Sequence, residues 1–540
     1  MRLAVIQGVR VHKPRFSLVQ RAAVFIVSGV LAGCSGSDNV ASPVPNPVVK
    51  APTNAQLAAF DQKINHIIVI YQENWSFDAL MGFYPGVNGY QNAMNIVQTD
   101  LSGNPITALP QPKLGNQPDP NFAAAAGMSA APFNLGSYIQ QSTLTGDPNH
   151  NFYVQQAEID GGKMDHYLAY ANVPADGTQG GLPLGYWDTR SFPEGQIAQQ
   201  YSVLDNFHQS TFGGSYINNL YAFCACVAQV PNGPASLVEP VDASGNPTAI
   251  GAPEGRMTPD FYVVNTSYTV QYPQLASGAS VFVPPLDNPT IGDRLTNAGV
   301  SWAFYSGGLN DALAGKADST FQAHHQSPLY FRNYGPGTPG FANHIKDFDA
   351  TFMNDLSSGN LPHVSIVKLL GKYNEHPGYA TIVAGQMEVA NLISAIQMSS
   401  AWKDSMILVY YDEAGGHFDH VPPVPVDRWG PSTRVPAYVV SPFAKRSNVD
   451  HTNYEVASIL ATIEQRYGLQ PLAARDAAAA PLLNMFDFTL PTPSAYARQS
   501  FKAMPPVPTL AIHKINGQPV TEVNDDQLLP AGPPIRPIDE

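Results

Sequence analysis

Short, unbroken apolar runs punctuate this chain, and two of them end abruptly in carboxylates. His66-Ile-Ile-Val-Ile-Tyr71 closes in Gln72-Glu73-Asn74, and Met406-Ile-Leu-Val-Tyr-Tyr411 closes in Asp412-Glu413-Ala414-Gly415-Gly416. Continuous rather than alternating apolarity predicts strands buried on both faces, as in a parallel sheet. Further strands are predicted at 201–207, 302–305, 364–368 and near 437–441, with helices over 291–298, 382–399 and 455–467. Strands alternating with helices predict an α/β fold, a central sheet flanked by helices. Ligands of such sheets gather outside the carboxyl ends of the strands, which is where Glu73, Asn74, Asp412 and Glu413 fall. Gly415 and Gly416 predict a tight turn over whatever binds there.

Less regular stretches lie between these elements. Residues 85–135 are rich in Asn, Gln, Pro and Gly and predict a long loop-rich excursion. Residues 230–285 predict an inserted β-hairpin region, with 261–264 and 268–272 as its strands. The organisation expected is one large domain over 56–486, followed by a Pro-rich tail over 487–540. No solenoid-type repeat is apparent.

The N-terminus changes the picture. Five basic residues from Arg2 to Arg21 precede an apolar segment, Ala22–Gly33, that is short for a membrane span. It ends in Leu31-Ala32-Gly33-Cys34, which resembles a bacterial lipobox. Residues 1–34 therefore predict a lipoprotein signal peptide with Cys34 as the lipidated residue, and 35–55, rich in Ser, Asn and Pro, a flexible tether. This implies an exported protein, periplasmic or on the outer membrane, that touches membrane only through its lipid. The low charged content, 13%, suits export. A net charge of −14, with no basic block beyond the N-terminus, argues against nucleic acid as a partner.

Asp, Glu and His side chains at strand ends offer ligands for one hard or borderline divalent cation of open identity. Thr211-Phe-Gly-Gly-Ser215 precedes a helical pattern and places Ser215 at a helix N-terminus, where free N–H groups favour phosphate. A serine there is a candidate nucleophile as well as a common structural cap. His150, His324, His325, His376, His417 and His420 all lie in polar, loop-like contexts suited to proton transfer or phosphate contact. Cys224-Ala-Cys226 predicts two buried thiols rather than a disulfide, since a bridge across one residue is strained.

Four ordered blocks bring a family into view. Gln72-Glu73-Asn74-Trp75-Ser76-Phe77-Asp78 resembles the Gln-Glu-Asn-Arg-Ser-Phe-Asp signature of the bacterial phosphoesterase family, which holds phospholipases C and a respiratory-burst-inhibiting acid phosphatase. Gly213 to Tyr221, Tyr411 to Pro423, and Arg434-Val435-Pro436 with Ser441-Pro442-Phe443 are similar to its later blocks. The resemblance implies an alkaline-phosphatase-like fold. It implies a metal ion held by Glu73, Asn74, Asp412 and Glu413, with Ser215 as nucleophile. His150, His325 and His376 would contact phosphate or protonate the leaving group, with His324 and His420 as secondary substrate contacts. Trp75, Gly214 and Asn219 depart from the family's Arg, Pro and Arg.

Ser at the nucleophile position, Asn149-His150 and the His324-His325 pair resemble the acid phosphatase branch. The activity implied is hydrolysis of small phosphate monoesters through a phosphoserine. The alternatives are a phospholipase C acting on phospholipid head groups, and a surface lipoprotein that binds without catalysis.

Overall fold

The computed structural model describes residues 52–490 except 94–95, 116, 172–178, 251–253 and 272–281, together with two short strands at 514–515 and 518–519. The expected signal segment, Cys34, most of the tether and most of the tail lie outside the described residues.

Eight strands form the central sheet: β1 (His66–Gln72), β2 (Ser202–Leu204), β3 (Trp302–Ser306), β4 (Ile345–Asp347), β5 (Val364–Lys368), β6 (Ser405–Tyr411), β7 (Ala437–Val440) and β8 (Asn448–Asp450). Their order is β4-β3-β5-β1-β6-β7-β2-β8. All neighbours run parallel except where β7 intervenes, antiparallel to both β6 and β2. The two carboxylate-terminated runs are adjacent strands, with Gln72 opposite Tyr411. Every residue of β6, and every residue of β1 after His66, is buried. That two-sided burial is why neither strand alternates, and each fully buried Ile, Leu or Val contributes about 1.5–3 kcal/mol.

The principal helices are α1 (Asn54–Lys63), α2 (Phe77–Met81), α3 (Phe152–Ile159), α4 (Pro193–Ala198), α5 (Ser215–Cys224), α6 (Ile291–Asn297), α7 (Phe348–Ser357), α8 (Ile382–Met398) and α9 (Ala457–Tyr467). Side chains alternate across a strand, and this sorts the helices into two layers. Val69, Tyr71, Phe304, Ile366 and Tyr410 line one interior space with Asn219 and Phe223 of α5, Ile291 of α6 and Ile459 of α9. On the opposite face, Gln72 and Tyr411 meet the Glu375 side chain together with Gln386 of α8.

Two expectations fail. Among the described residues of 230–285 no β-hairpin ladder forms. Among those described, Tyr268–Thr269 and Phe282–Val283 pair over two residues each, in parallel, and the rest makes isolated bridges such as Gln229–Tyr262 and Met257–Val263. Frequent Gly and Pro interrupt the ladders that hairpins need. Cys224 and Cys226 form a disulfide. Ala225, the residue after α5, is left-handed (φ 50°) and bends the chain so that the two Cα atoms lie 5.1 Å apart, within the span of a disulfide.

A buried ion network ties the segment after β1 to the segment before β7. Arg434 donates from Nε to Asp419 Oδ1 (2.9 Å) and from Nη2 to Asp78 Oδ1 (3.0 Å) and Asp419 Oδ2 (3.1 Å). Its Nη1 donates to the carbonyls of Asn88 (2.8 Å) and Asp205 (2.6 Å). Removing one partner of a buried ion cluster leaves uncompensated charge. Arg434→Ala is expected to lower stability by about 3–5 kcal/mol, read from urea unfolding; a midpoint equal to wild type would show the network to be dispensable.

Candidate active site

Ser215 is the first residue of α5, fully buried, with Gly214 as N-cap. The loop before it is held by amide side chains. Asn218 Nδ2 donates to the carbonyls of Gly213 (2.9 Å) and Gly214 (3.2 Å), and its Oδ1 accepts from Thr211 N–H (3.0 Å). Gln209 Nε2 donates to Thr211 O (2.7 Å) and Gly213 O (3.1 Å), while Gln209 Oε1 accepts from Ala414 N–H (2.9 Å). The loop before Ser215 is thus bonded directly to the turn after β6. Gly213 has φ 92°, and a Cβ at Gly214 would lie 2.8 Å from His150 Cδ2. Glycine is needed at both positions, at the first for its backbone angle and at the second for the close approach of the imidazole.

Ser215 Oγ donates to Glu73 Oε2 (2.7 Å) and lies 3.2 Å from Asn74 Oδ1. Glu73 and Asn74 follow β1 directly, and Asn74 takes a left-handed conformation (φ 61°). Asp412 and Glu413 follow β6, and Asp412 N–H donates to Gln72 O (3.0 Å), so the two strand ends lie side by side. The turn at Gly415 (φ 60°) and Gly416 (φ 65°) closes over them as expected. A Cβ on Gly415 would fall 2.3 Å from Asn74 O, and one on Gly416 would fall 2.4 Å from Asn149 O.

Three histidines face this group. Asn74 Nδ2 donates to His376 Nε2 (2.9 Å) and approaches His150 Nε2 (3.4 Å). The other ring nitrogens donate to backbone carbonyls, His150 Nδ1 to Pro148 O (2.7 Å) and His376 Nδ1 to Pro377 O. Both rings are therefore oriented with Nε2 toward the site. His150 Nε2 is 3.6 Å from Glu413 Oε1, and His325 Nδ1 is 3.4 Å from Glu73 Oε1.

Glu73, Asp412 and Glu413 are at most 1% exposed. Three carboxylates in one buried space need positive charge nearby. Lys368, ion-paired with Glu73 Oε1, supplies one unit. With the Asn74 carbonyl oxygen and Ser215 Oγ beside them, this is an oxygen-rich donor set that could hold a divalent cation.

Residues 64–470 match the model of the Phosphoesterase family. The chain belongs to that family. Curated relatives include phospholipase C B of Mycobacterium tuberculosis, 26% identical with 79% of this chain and 78% of that protein covered. Another is a non-hemolytic phospholipase C of Pseudomonas aeruginosa, 22% identical over 79% of this chain and 58% of its own length. A solved structure aligned with the fold is a Vibrio parahaemolyticus protein of the alkaline phosphatase superfamily, 12% identical, with 54% of this chain and 66% of that chain covered and a TM-score of 0.29.

Of the expected site residues, this phosphoesterase brings together Glu73, Asn74, Ser215, Asp412, Glu413, His150, His325 and His376. His324 stands beside them, its ring edge-on to His325 (4.3 Å) and to Tyr268 (5.8 Å). His420 is a correction. Its Nδ1 pairs with Asp78 Oδ2 (2.6 Å) and its Nε2 with Asn88 Oδ1 (3.0 Å), which makes it part of the Arg434 network rather than of the Ser215 group. His417 is fully buried. It stacks on Trp75 (4.1 Å between centroids), and burial, with the nearby His150 ring adding, pushes its pKa down to about 3.

Two residues escaped the sequence reading. Lys368 ends β5, the strand on the other side of β1, and its only signal is a lone cation closing an apolar run. Asp147 joins His150 and His376 in a group whose ligand-type atoms lie within 4.8 Å of one another. It sits in a loop and has no apolar run to announce it.

The turn yields a sharp test. Gly415→Ala forces a left-handed alanine against the Asn74 backbone. Because displacements of about 1 Å can cost about 100-fold in rate, phosphoester hydrolysis is expected to fall by about that factor in a folded variant. Unchanged kcat/KM would show that the Asn74 position does not matter.

Proposed function

We propose that this protein hydrolyses phosphoric esters with Ser215 as nucleophile, and that small phosphate monoesters at acid pH are its substrates. The observation that carries the reading is the 2.7 Å hydrogen bond from Ser215 Oγ to Glu73 Oε2 at the start of a helix. In the reaction, Glu73 Oε2 accepts the Ser215 proton as Oγ attacks phosphorus in line. The backbone N–H groups at the start of α5 stabilise the equatorial oxygens. His325, His150 or His376, as an imidazolium, gives a proton to the departing alcohol, and Lys368 holds Glu73 in place. Water then attacks the phosphoserine, giving one proton to the histidine, and Glu73 returns its proton to Ser215 Oγ as phosphate is released. A divalent cation held by Glu73, Asn74, Asp412 and Glu413 would add charge stabilisation and ease ionisation of the hydroxyl.

Acid operation belongs to the same reading, through the resemblance to the acid phosphatase branch. Ser215, Asn149-His150 and His324-His325 support the monoester reading through their resemblance to the phosphatase branch. A second reading, phospholipase C, is supported by the curated relatives, which carry that name.

The test compares p-nitrophenyl phosphate with p-nitrophenylphosphorylcholine, from acid to mildly alkaline pH, with and without chelator. Preference for the monoester at acid pH is expected, with loss of at least about 1000-fold in Ser215→Ala and loss on chelation restored by metal. Preference for the choline diester would replace the first reading with the second. Near wild-type turnover by Ser215→Ala would remove the nucleophile assignment.

The reading extends to export and lipidation at Cys34, supported by the basic and apolar leader with its lipobox-like end. Mass spectrometry of the membrane-bound protein is expected to find Cys34 as a lipid-modified N-terminus; an unmodified N-terminus elsewhere would reject it.

A further inference from the structure

Behind His376 lie two carboxyl groups that the chemistry above does not use. Glu375 has a left-handed backbone (φ 71°) and sits in a turn between two residues that touch the site. On one side, Asn374 O accepts from Glu73 N–H (2.9 Å). On the other, His376 Nε2 meets Asn74. The Glu375 carbonyl accepts from Trp75 Nε1 (3.0 Å). Its side chain is gripped from three elements: Tyr411 OH donates to Oε2 (2.6 Å), Gln386 Nε2 donates to Oε1 (3.1 Å), and Gln72 Nε2 lies 3.4 Å from Oε1. The same Gln386 Nε2 donates to Glu194 Oε2 of α4 (3.2 Å), so one amide spans both carboxyl groups.

Glu194 and Glu375 are each 1% exposed. Glu194 Oε1 has no hydrogen-bond partner, and the Gln386 amide bridging Glu194 Oε2 and Glu375 Oε1 brings the two carboxyl side chains toward each other. The groups facing the pair are Gln72 and Trp75 from β1 and its exit, Tyr84 after α2, Gln386 of α8, Tyr411 of β6 and Tyr438 of β7. All are neutral in the working range, and burial pushes these tyrosines up. Two like charges in such surroundings cannot both persist. Burial raises Glu375 to about 7, and burial together with the charge of Glu375 holds Glu194 well above the usual carboxylate range.

We propose that Glu194 and Glu375 form a proton-sharing carboxyl pair that positions the Asn374–His376 turn, and with it the His376 imidazole, against the substrate site. Both are positioning residues, and the proposal rests on the reading of His376 as a substrate contact. An O–H···O bond between carboxyl groups exists only while the pair keeps a proton. The link between α4 and the turn is therefore complete at acid and neutral pH. It is lost as pH rises far enough to strip the pair and set two anions against each other.

The test uses the full enzyme with Glu194→Gln and Glu194→Ala. The glutamine amide donates to Glu375 at every pH and so replaces the shared proton with one that does not titrate. Glu194→Gln is expected to keep acid-side kcat/KM within about twofold and to move the alkaline fall upward by about one pH unit or more. Glu194→Ala is expected to lose about tenfold across the range. Infrared spectra, which need no activity, are expected to show a protonated-carboxyl band at neutral pH that weakens in Glu194→Gln. The proposal is overturned if the alkaline fall of Glu194→Gln coincides with wild type, if Glu194→Ala behaves as wild type, or if the band is missing. If wild type hydrolyses no phosphoester, the functional reading fails while the infrared band still decides the pair.

Discussion

Parallel register between β1 and its two neighbours is the constraint on which the site depends. Tyr71 lies opposite Lys368 and Gln72 opposite Tyr411, so three strands finish at one level of the sheet. The residues that follow are thereby brought into one buried space: Glu73 and Asn74 from β1, Asp412 and Glu413 from β6. Lys368 meets them from β5. Concentrating carboxylates there is electrostatically costly, and the rest of the molecule offsets part of that cost with the Lys368 ammonium and oriented dipoles. Lys368 also lies 4.5 Å from the centre of the Tyr71 ring, whose hydroxyl donates to the His325 carbonyl (3.2 Å), so one short chain of contacts links lysine, carboxylate and histidine.

Around this centre, rigidity comes from close backbone approach rather than from long side chains. The glycine pair after β6 presses on Asn74 and Asn149, and Gly214 lets the His150 ring lie against the turn before Ser215. Gln209 bonds the loop before Ser215 to Ala414. Four segments distant in sequence are thus fixed to one another by backbone contacts and amide clamps. Such fixing favours reactions in which placement supplies much of the barrier reduction.

How much of this was legible in the sequence follows from how local each signal is. The strands were readable because double-sided burial leaves an uninterrupted apolar run, and the acids at their ends stand out against it. Ser215 was readable because two glycines precede a helical pattern. His420 looked equivalent to the other histidines because polar context does not reveal a partner; Asp78, far away in sequence, decides its place. The Cys224–Cys226 pairing depends on the left-handed Ala225, which composition does not announce. Glu194 and Glu375 meet only after α4, α8 and the turn have packed together, so no window of sequence contains their relation. The insertion over 230–285 misled because aromatic and β-branched residues suit strands, while among its described residues pairing is limited to isolated bridges and one two-residue ladder.

The reversed direction of β7 has a consequence for what kind of residue reaches the site edge. Forward strands deliver to that edge whatever comes after them, so their contribution is an exit sequence. β7 delivers what comes before it: Ser432 and Thr433, whose carbonyls bond to His208 and Gln209, and then Arg434. The guanidinium that pairs with Asp78 and Asp419 thus arrives on an inbound segment, and the polypeptide crosses this rim travelling toward the core instead of away from it. A single antiparallel member in an otherwise one-way sheet lets the rim draw on residues from both ends of its strands.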